Sequence, residues 1–224
     1  MCGIVGYVGE NSASPILIDG LKKLEYRGYD SAGIAVSENG KTDVVKTKGR
    51  IKNLEEKLEE VGGLSGTVGI GHTRWATHGA PTDVNAHPHK GGNGRITLVH
   101  NGIIENYIEL KTMLQKGGYV FVSETDTEVL AHLFDYYYKG DLLDAMVNVM
   151  KTVRGSYAVA ILADDKPGTI IAARKDSPLI VGLGDGENFL ASDIPAVLKY
   201  TRDCYLLEDN QIAVLTKDNV TLYD

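Results

Sequence analysis

The apolar positions of this chain fall into short runs, and the spacing inside each run predicts the element it forms. Gly3 to Val8, apolar throughout and bounded by glycine, reads as a buried strand. Ser14 offers an N-cap and Pro15 a first helical position ahead of Leu17, Leu21 and Leu24, whose i, i+4, i+7 spacing predicts a helix. Gly28 and Gly33 bracket a turn before the strand Ile34-Ala35-Val36, and Asn39-Gly40 between that strand and Val44-Val45 signals a hairpin. Arg50 to Val61 follows as an amphipathic helix with Leu54 and Leu58 inward, its charges a solvated face. Thr67 to His72 and Arg95 to His100 read as strands. The stretch between them, Thr73 to Gly94, has no regular period and is rich in His, Pro, Gly and Asn; connections of such length are often lids or binding loops.

Three helices come next. One spans Asn106 to Gln115, with Leu110 and Leu114 inward and Gly117-Gly118 as its stop. The second opens on the capping box Thr125-Asp126-Thr127-Glu128 and runs through Tyr138, and the third covers Leu142 to Val153, closed by Gly155. From Ser156 the pattern is mostly β. Tyr157 to Ala163, Thr169 to Ala173, Leu179 to Gly182, Phe189 to Ala191, Cys204 to Leu207, Ile212 to Leu215 and Val220 to Tyr223 are short apolar runs divided by turn residues. Strands, a helical block and more strands predict an α+β fold with mainly antiparallel sheets. With no linker or repeat, residues 1–224 read as a single domain.

Composition narrows the function classes. A formal charge of −7 argues against nucleic acid or an anionic membrane as the main partner, because both reward basic patches. No apolar run approaches membrane-spanning length, and the start lacks a signal-peptide pattern, so a reducing cytoplasm is expected. Only two cysteines occur; Cys204, in an apolar run, is expected to be an inert core residue.

The chemistry centres on Cys2. If Met1 is removed, one residue carries a thiol, with a pKa of about 8.5, and a free α-amine, with a pKa of about 7.7–8.0, so the amine can serve as base for the sulfur. Without further context Cys2 reads equally well as the start of a strand. An amide-cleaving cysteine needs an oxyanion donor pair, and Asn101 with Gly102 supplies a side-chain N–H and an unobstructed backbone N–H. The same dipeptide is also a common turn. An amino-acid substrate calls for a bidentate arginine on its carboxylate and a carboxylate on its ammonium, and Arg74 and Asp126 are the candidates. Arg74 could instead form a surface ion pair, Asp126 complement a helix dipole, and the lone Trp75 sit in the core. His72, His78, His87, His89 and His100 raise a metal reading, but paired zinc-ligand spacings are lacking, so no metal and no cofactor is expected. There is no phosphate-binding glycine-lysine loop, and Gly182, Gly184 and Gly186 read as turn chemistry.

Cys2-Gly3-Ile4-Val5-Gly6 resembles the start of the class II glutamine amidotransferases, whose glutaminase domains are N-terminal-nucleophile hydrolases. Glu25 to Gly33, His72 to Gly79, Asn85-Ala86-His87-Pro88-His89, His100 to Asn106 and Ser123 to Glu128 are similar to a branch of that family. In this branch two sugar-isomerase lobes, which bind fructose 6-phosphate, follow the glutaminase domain. The resemblance runs over essentially the whole chain. It implies a four-layer αββα sandwich of two mainly antiparallel sheets between helix layers, and hydrolysis of glutamine to glutamate and ammonia.

Carried over by residue, the resemblance makes Cys2 the nucleophile and Asn101 and Gly102 the oxyanion hole. Arg74 would bind the glutamine carboxylate and Asp126 its ammonium, with Thr77 and His78 in the same pocket and Trp75 closing it. It implies L-glutamine as substrate and, at full length, the isomerase domains as partners; those domains are expected to be absent from this chain, and a homodimer is compatible with it. Arg27, His72, His87 and His100 are expected to hold the pocket together. Rival readings are the glutaminase domain of another class II enzyme, a glutamine-sensing module without turnover, and a metal-binding protein.

Overall fold

In the computed structural model, which describes residues 2–224, the first apolar run is strand β1 (Gly3–Val8), buried along its whole length. Helix α1 (Ala13–Leu24), the hairpin of β2 (Ser31–Glu38) and β3 (Lys41–Lys48), helix α2 (Ile51–Glu60) and strand β4 (Val68–Arg74) follow. A short β5 (His89–Gly91) and a long β6 (Ile96–Ile104) lead to helices α3 (Tyr107–Lys116), α4 (Asp126–Tyr137) and α5 (Leu142–Thr152). The remainder is β7 (Gly155–Ala163), β8 (Ile170–Lys175), β9 (Ile180–Leu183), β10 (Asn188–Ala191), β11 (Cys204–Leu206), β12 (Ile212–Leu215) and β13 (Val220–Tyr223).

The strands form a seven-stranded sheet, β11-β9-β10-β1-β4-β2-β3, and a six-stranded sheet, β13-β12-β8-β7-β6-β5. Neighbouring strands in both are antiparallel. Side-chain alternation explains the layers. On β1, Val5 and Tyr7 face α1 and α2, where they pack with Leu17, Leu21, Ile34 and Leu54. Ile4 and Val8 point the other way, into a core shared with Ile70, Val99, Ala160 and Ile170. On β7, Val159 and Ile161 meet Phe134 and Met146 under α4 and α5, whereas Ala158 and Ala160 lie between the sheets. Each sheet is therefore buried on both faces, which is why its strands read as continuous apolar runs. Wholly buried Leu17, Leu21 and Leu24 contribute about 1.5–3 kcal/mol apiece to holding α1 on its sheet. The result is the expected αββα sandwich.

Several local expectations are corrected. Helix α1 starts before Ser14, with Pro15 third in the helix, still in the turn where a missing N–H is harmless. The Ala13 amide is satisfied by the Gly66 carbonyl at 2.9 Å instead of by a serine cap. Thr125 does cap α4, accepting the Glu128 amide, but the Glu128 carboxylate turns away from the box to the amides of Val122 and Ser123. Gly155 opens β7 instead of closing α5, and Asn101-Gly102 lies inside β6 and is not a turn. Cys204 is exposed, because β11 is an edge strand with a single neighbour. Among the described residues no helix is long and apolar enough to cross a membrane.

Candidate active site

Antiparallel pairing sets Gly3 of β1 opposite Thr73 of β4, so Cys2 lies where β4 runs out into Trp75. The Trp75 backbone holds the sulfur from two sides: its N–H donates to Sγ at 3.3 Å, and the thiol reaches its carbonyl at 3.6 Å. The Cys2 carbonyl accepts from Arg27 Nε at 3.3 Å and from Asn101 Nδ2 at 3.1 Å. Burial pushes the thiol pKa up, opposed by the Trp75 amide and the nearby charge of Arg74. A thiol so placed is protonated at neutral pH and needs a base before it can attack.

Cys2 opens onto a cleft of about 240 Å³ lined by Arg27, Trp75, Thr77, Asn101 and Gly102, with Ser156, Ser177 and Pro178 in its wall. Trp75 is 47% exposed and sets its indole edge-on to Tyr29, so it is a rim residue and not core. Gly102 has φ +128°, and a Cβ there would lie 2.1 Å from the Ser156 carbonyl. Only glycine fits where β6 meets the cleft.

Arg74, His78 and Asp126 do not line this cleft. Arg74 is 3% exposed, so the surface-pair alternative fails; its guanidinium donates to the carbonyls of His78, Gly79 and Ala80 and holds the loop after β4. Asp126, first residue of α4 and also buried, accepts the Ile104 amide through Oδ2 at 2.9 Å. Among the described residues its Oδ1 has no hydrogen-bond partner. His78 sets its ring edge-on to Tyr107, and its buried Nδ1 has no partner. The Arg74 charge interacts with Asp126 and Cys2, so the three groups share one electrostatic environment.

Behind the cleft lies a buried histidine cluster. His72 stacks on His87 with ring centres 3.9 Å apart, and His87 meets His89 edge-on. His89 Nε2 contacts Thr125 Oγ1 at 3.1 Å and His100 Nδ1 contacts Thr127 Oγ1 at 3.0 Å, joining the cluster to the start of α4. Burial, first of all, holds all four imidazoles below their ordinary pKa, His72 at about 3. Lys46 Nζ donates to the carbonyls of Val84, Ala86 and Pro88 and so fixes the loop that carries His87. Among the described residues no group of three His, Cys, Asp or Glu side chains is arranged to hold a metal ion.

Sequence reasoning missed the anchors. Asp30 accepts the Ala76 amide at 2.5 Å and donates its own amide to Arg74 O, fixing the loop beside Cys2. Asp193 pairs with Arg27, 166 residues away in sequence, at 2.8 Å and so supports the Cys2 carbonyl that Arg27 holds. Asp30 lay within a noted motif but carried no pattern of its own, and Asp193 gave no signal.

Two antiparallel sheets between helix layers, with a cysteine at the head of a central strand, define a protein of the N-terminal-nucleophile amidotransferase class. A family model described as "Glutamine amidotransferase domain" matches residues 72–199. The chain belongs to that family. It is 61% identical over all 224 residues to the glutamine–fructose-6-phosphate aminotransferase (isomerizing) of Clostridium tetani, and 57% identical to that of Thermus thermophilus. It spans 37% of the length of each. Among solved structures, the glutamine phosphoribosylpyrophosphate amidotransferase of B. subtilis superposes with TM-score 0.84 at 28% identity, covering 99% of this chain and 49% of that one. An allosteric regulatory enzyme of purine biosynthesis gives TM-score 0.88 at 28% identity, covering 99% of this chain and 48% of that one.

Proposed function

We propose that this chain hydrolyses the side-chain amide of L-glutamine to glutamate and ammonia, with Cys2 as the nucleophile. The observation that carries the reading is the Cys2 thiol beside a cleft that also presents Asn101 and Gly102. With Met1 removed, the Cys2 α-amine takes the thiol proton and the sulfur attacks the amide carbon. The developing oxyanion is met by Asn101 Nδ2, which has two hydrogens and spends one on the Cys2 carbonyl, and by the Gly102 amide. The protonated amine hands its proton to departing ammonia, and water then hydrolyses the γ-glutamyl thioester with the amine again as base.

Arg74 and Asp126 hold the glutamine carboxylate and ammonium after Arg74 exchanges part of its carbonyl contacts for the substrate. Thr77 and His78 complete that pocket, and Trp75 covers it. In a longer protein the ammonia passes to fructose 6-phosphate on sugar-isomerase domains, giving D-glucosamine 6-phosphate. Support for that step is the 61% identity to a relative of that name. A reducing compartment such as the cytoplasm keeps the thiol free. The test is glutamine hydrolysis before and after treatment with a thiol-reactive glutamine analogue, with the labelled residue mapped by mass spectrometry. Loss of turnover with label on Cys2 is expected; undiminished turnover with Cys2 labelled would sink the assignment.

A further inference from the structure

Asn101 can act as an oxyanion donor only in one of its two amide orientations, which are nearly equal in shape. In one, Nδ2 faces Cys2; in the other, Oδ1 sits against the Cys2 carbonyl and repels both that carbonyl and an oxyanion. The choice is made on the far side of the amide. His72 Nε2 lies 2.9 Å from Asn101 Oδ1 and 3.1 Å from the His100 carbonyl, deep in the protein. We infer that His72 is a positioning residue, whose Nε2–H, shared between the His100 carbonyl and Asn101 Oδ1, locks the amide with its donor end toward Cys2.

The tautomer follows from the surroundings. The fixed His100 carbonyl can only accept, so the proton must be on Nε2; a bare Nε2 would set two lone pairs face to face. A proton on Nδ1 would be a buried donor with nothing to receive it, since His72 Nδ1 has no partner. With Nε2–H in place, a flipped Asn101 would turn an N–H onto an N–H. The ring is held in its plane by the stack on His87, whose Nδ1 accepts the His100 amide at 3.4 Å. Burial and the neighbouring His100 and Arg74 keep the imidazole neutral, so it does not switch over the physiological range.

The inference rests on the glutaminase reading for its kinetic consequence but not for its geometry, and the experiment separates the two. His72→Phe keeps a ring on His87 and removes the donor, and His72→Gln returns an N–H near the Nε2 position. For His72→Phe, kcat is expected to fall by about 100-fold, the scale of losing one oxyanion donor, with little change in KM for glutamine. His72→Gln should recover most of that loss. Unchanged kcat in His72→Phe, or an equal loss in both variants, would overturn the role. Imidazole ¹⁵N spectra of the unmodified protein should show His72 neutral with its proton on Nε2; a proton on Nδ1 would overturn it without reference to activity. Absence of glutamine turnover in the unmodified protein, with that tautomer present, would count against the glutaminase reading alone.

Discussion

Asn101 on β6 donates to the carbonyl of Cys2, a residue 99 positions earlier, at 3.1 Å, and this bond ties the two sheets together at the cleft. The same amide nitrogen is the proposed oxyanion donor, so its removal tests chemistry and assembly at once. Asn101→Ala should lower kcat for glutamine by about 100- to 1,000-fold with a smaller effect on KM. Steady-state ammonia release measures both constants. A rise in KM at constant kcat would make Asn101 a binding group.

Cys2→Ala should abolish ammonia release while leaving the fold intact. The change removes only the sulfur, and the Cys2 carbonyl keeps its bonds to Arg27 and Asn101. The amine half of the idea is tested by processing. Protein that retains Met1 ties the Cys2 nitrogen into a peptide bond and should be inactive. Intact-mass measurement paired with an assay checks this, and full activity with Met1 present would refute the amine as base.

Asp126→Asn isolates charge from geometry. An asparagine oxygen can still accept the Ile104 amide, so the start of α4 should hold and Tm should change little. The lost ammonium contact should cost about 2–5 kcal/mol in kcat/KM. Unchanged kinetics would leave Asp126 as a helix-start and backbone anchor only.

Gly102 and Gly118 both have left-handed backbones but differ in surroundings. At Gly102 an added Cβ collides with the Ser156 carbonyl at 2.1 Å, whereas at Gly118, with φ +91°, nothing lies within 4 Å. Gly118→Ala should therefore cost about 1–2 kcal/mol, the strain of the conformation alone. Gly102→Ala should cost clearly more and should also damage turnover, because β6 must shift. Denaturant midpoints compare the two, and equal losses would mean the β6 contact relaxes freely.

How much was legible follows from what periodicity encodes. Val5, Tyr7, Leu17 and Leu21 announced their elements because burial on a regular face leaves a repeating trace. Asn101-Gly102 was misleading by itself, since a strand that needs a left-handed glycine beside a cleft looks locally like a turn. Cys204 looked like core because an edge strand keeps an apolar composition while lacking a second neighbour. The clamp on Cys2 by the Trp75 backbone and the Arg27–Asp193 support left no trace, because main-chain contacts and pairs 166 residues apart have no local pattern. Motif resemblance assigned substrate-binding roles to Arg74 and Asp126 but did not foretell that Arg74 is engaged with its own loop.

Stability should fall steeply on the acid side. Folded, His72, His87, His89 and His100 are held below their ordinary pKa of 6.5 by burial, His72 at about 3. Unfolded, each takes a proton near pH 6.5, so below that pH the unfolded chain binds protons that the fold does not. Stability is complete above pH 6.5 and declines as pH drops toward 3, by up to about 1.4 kcal/mol per pH unit per histidine. Glu128, held at about 2 by His132, Ser123 and the Val122 and Ser123 amides against its burial, acts in the same sense below pH 4.5. Lys46 is the counterpart at high pH: burial lowers it from 10.5 to about 8, so its folded form sheds a proton that the unfolded chain keeps, and stability gains between those values. Tm should therefore fall from pH 6.5 to 4 and edge upward between pH 8 and 10, and calorimetry across buffers reads both windows. A flat Tm between pH 4 and 6.5 would mean that the histidine cluster accepts protons without opening, contrary to its packing.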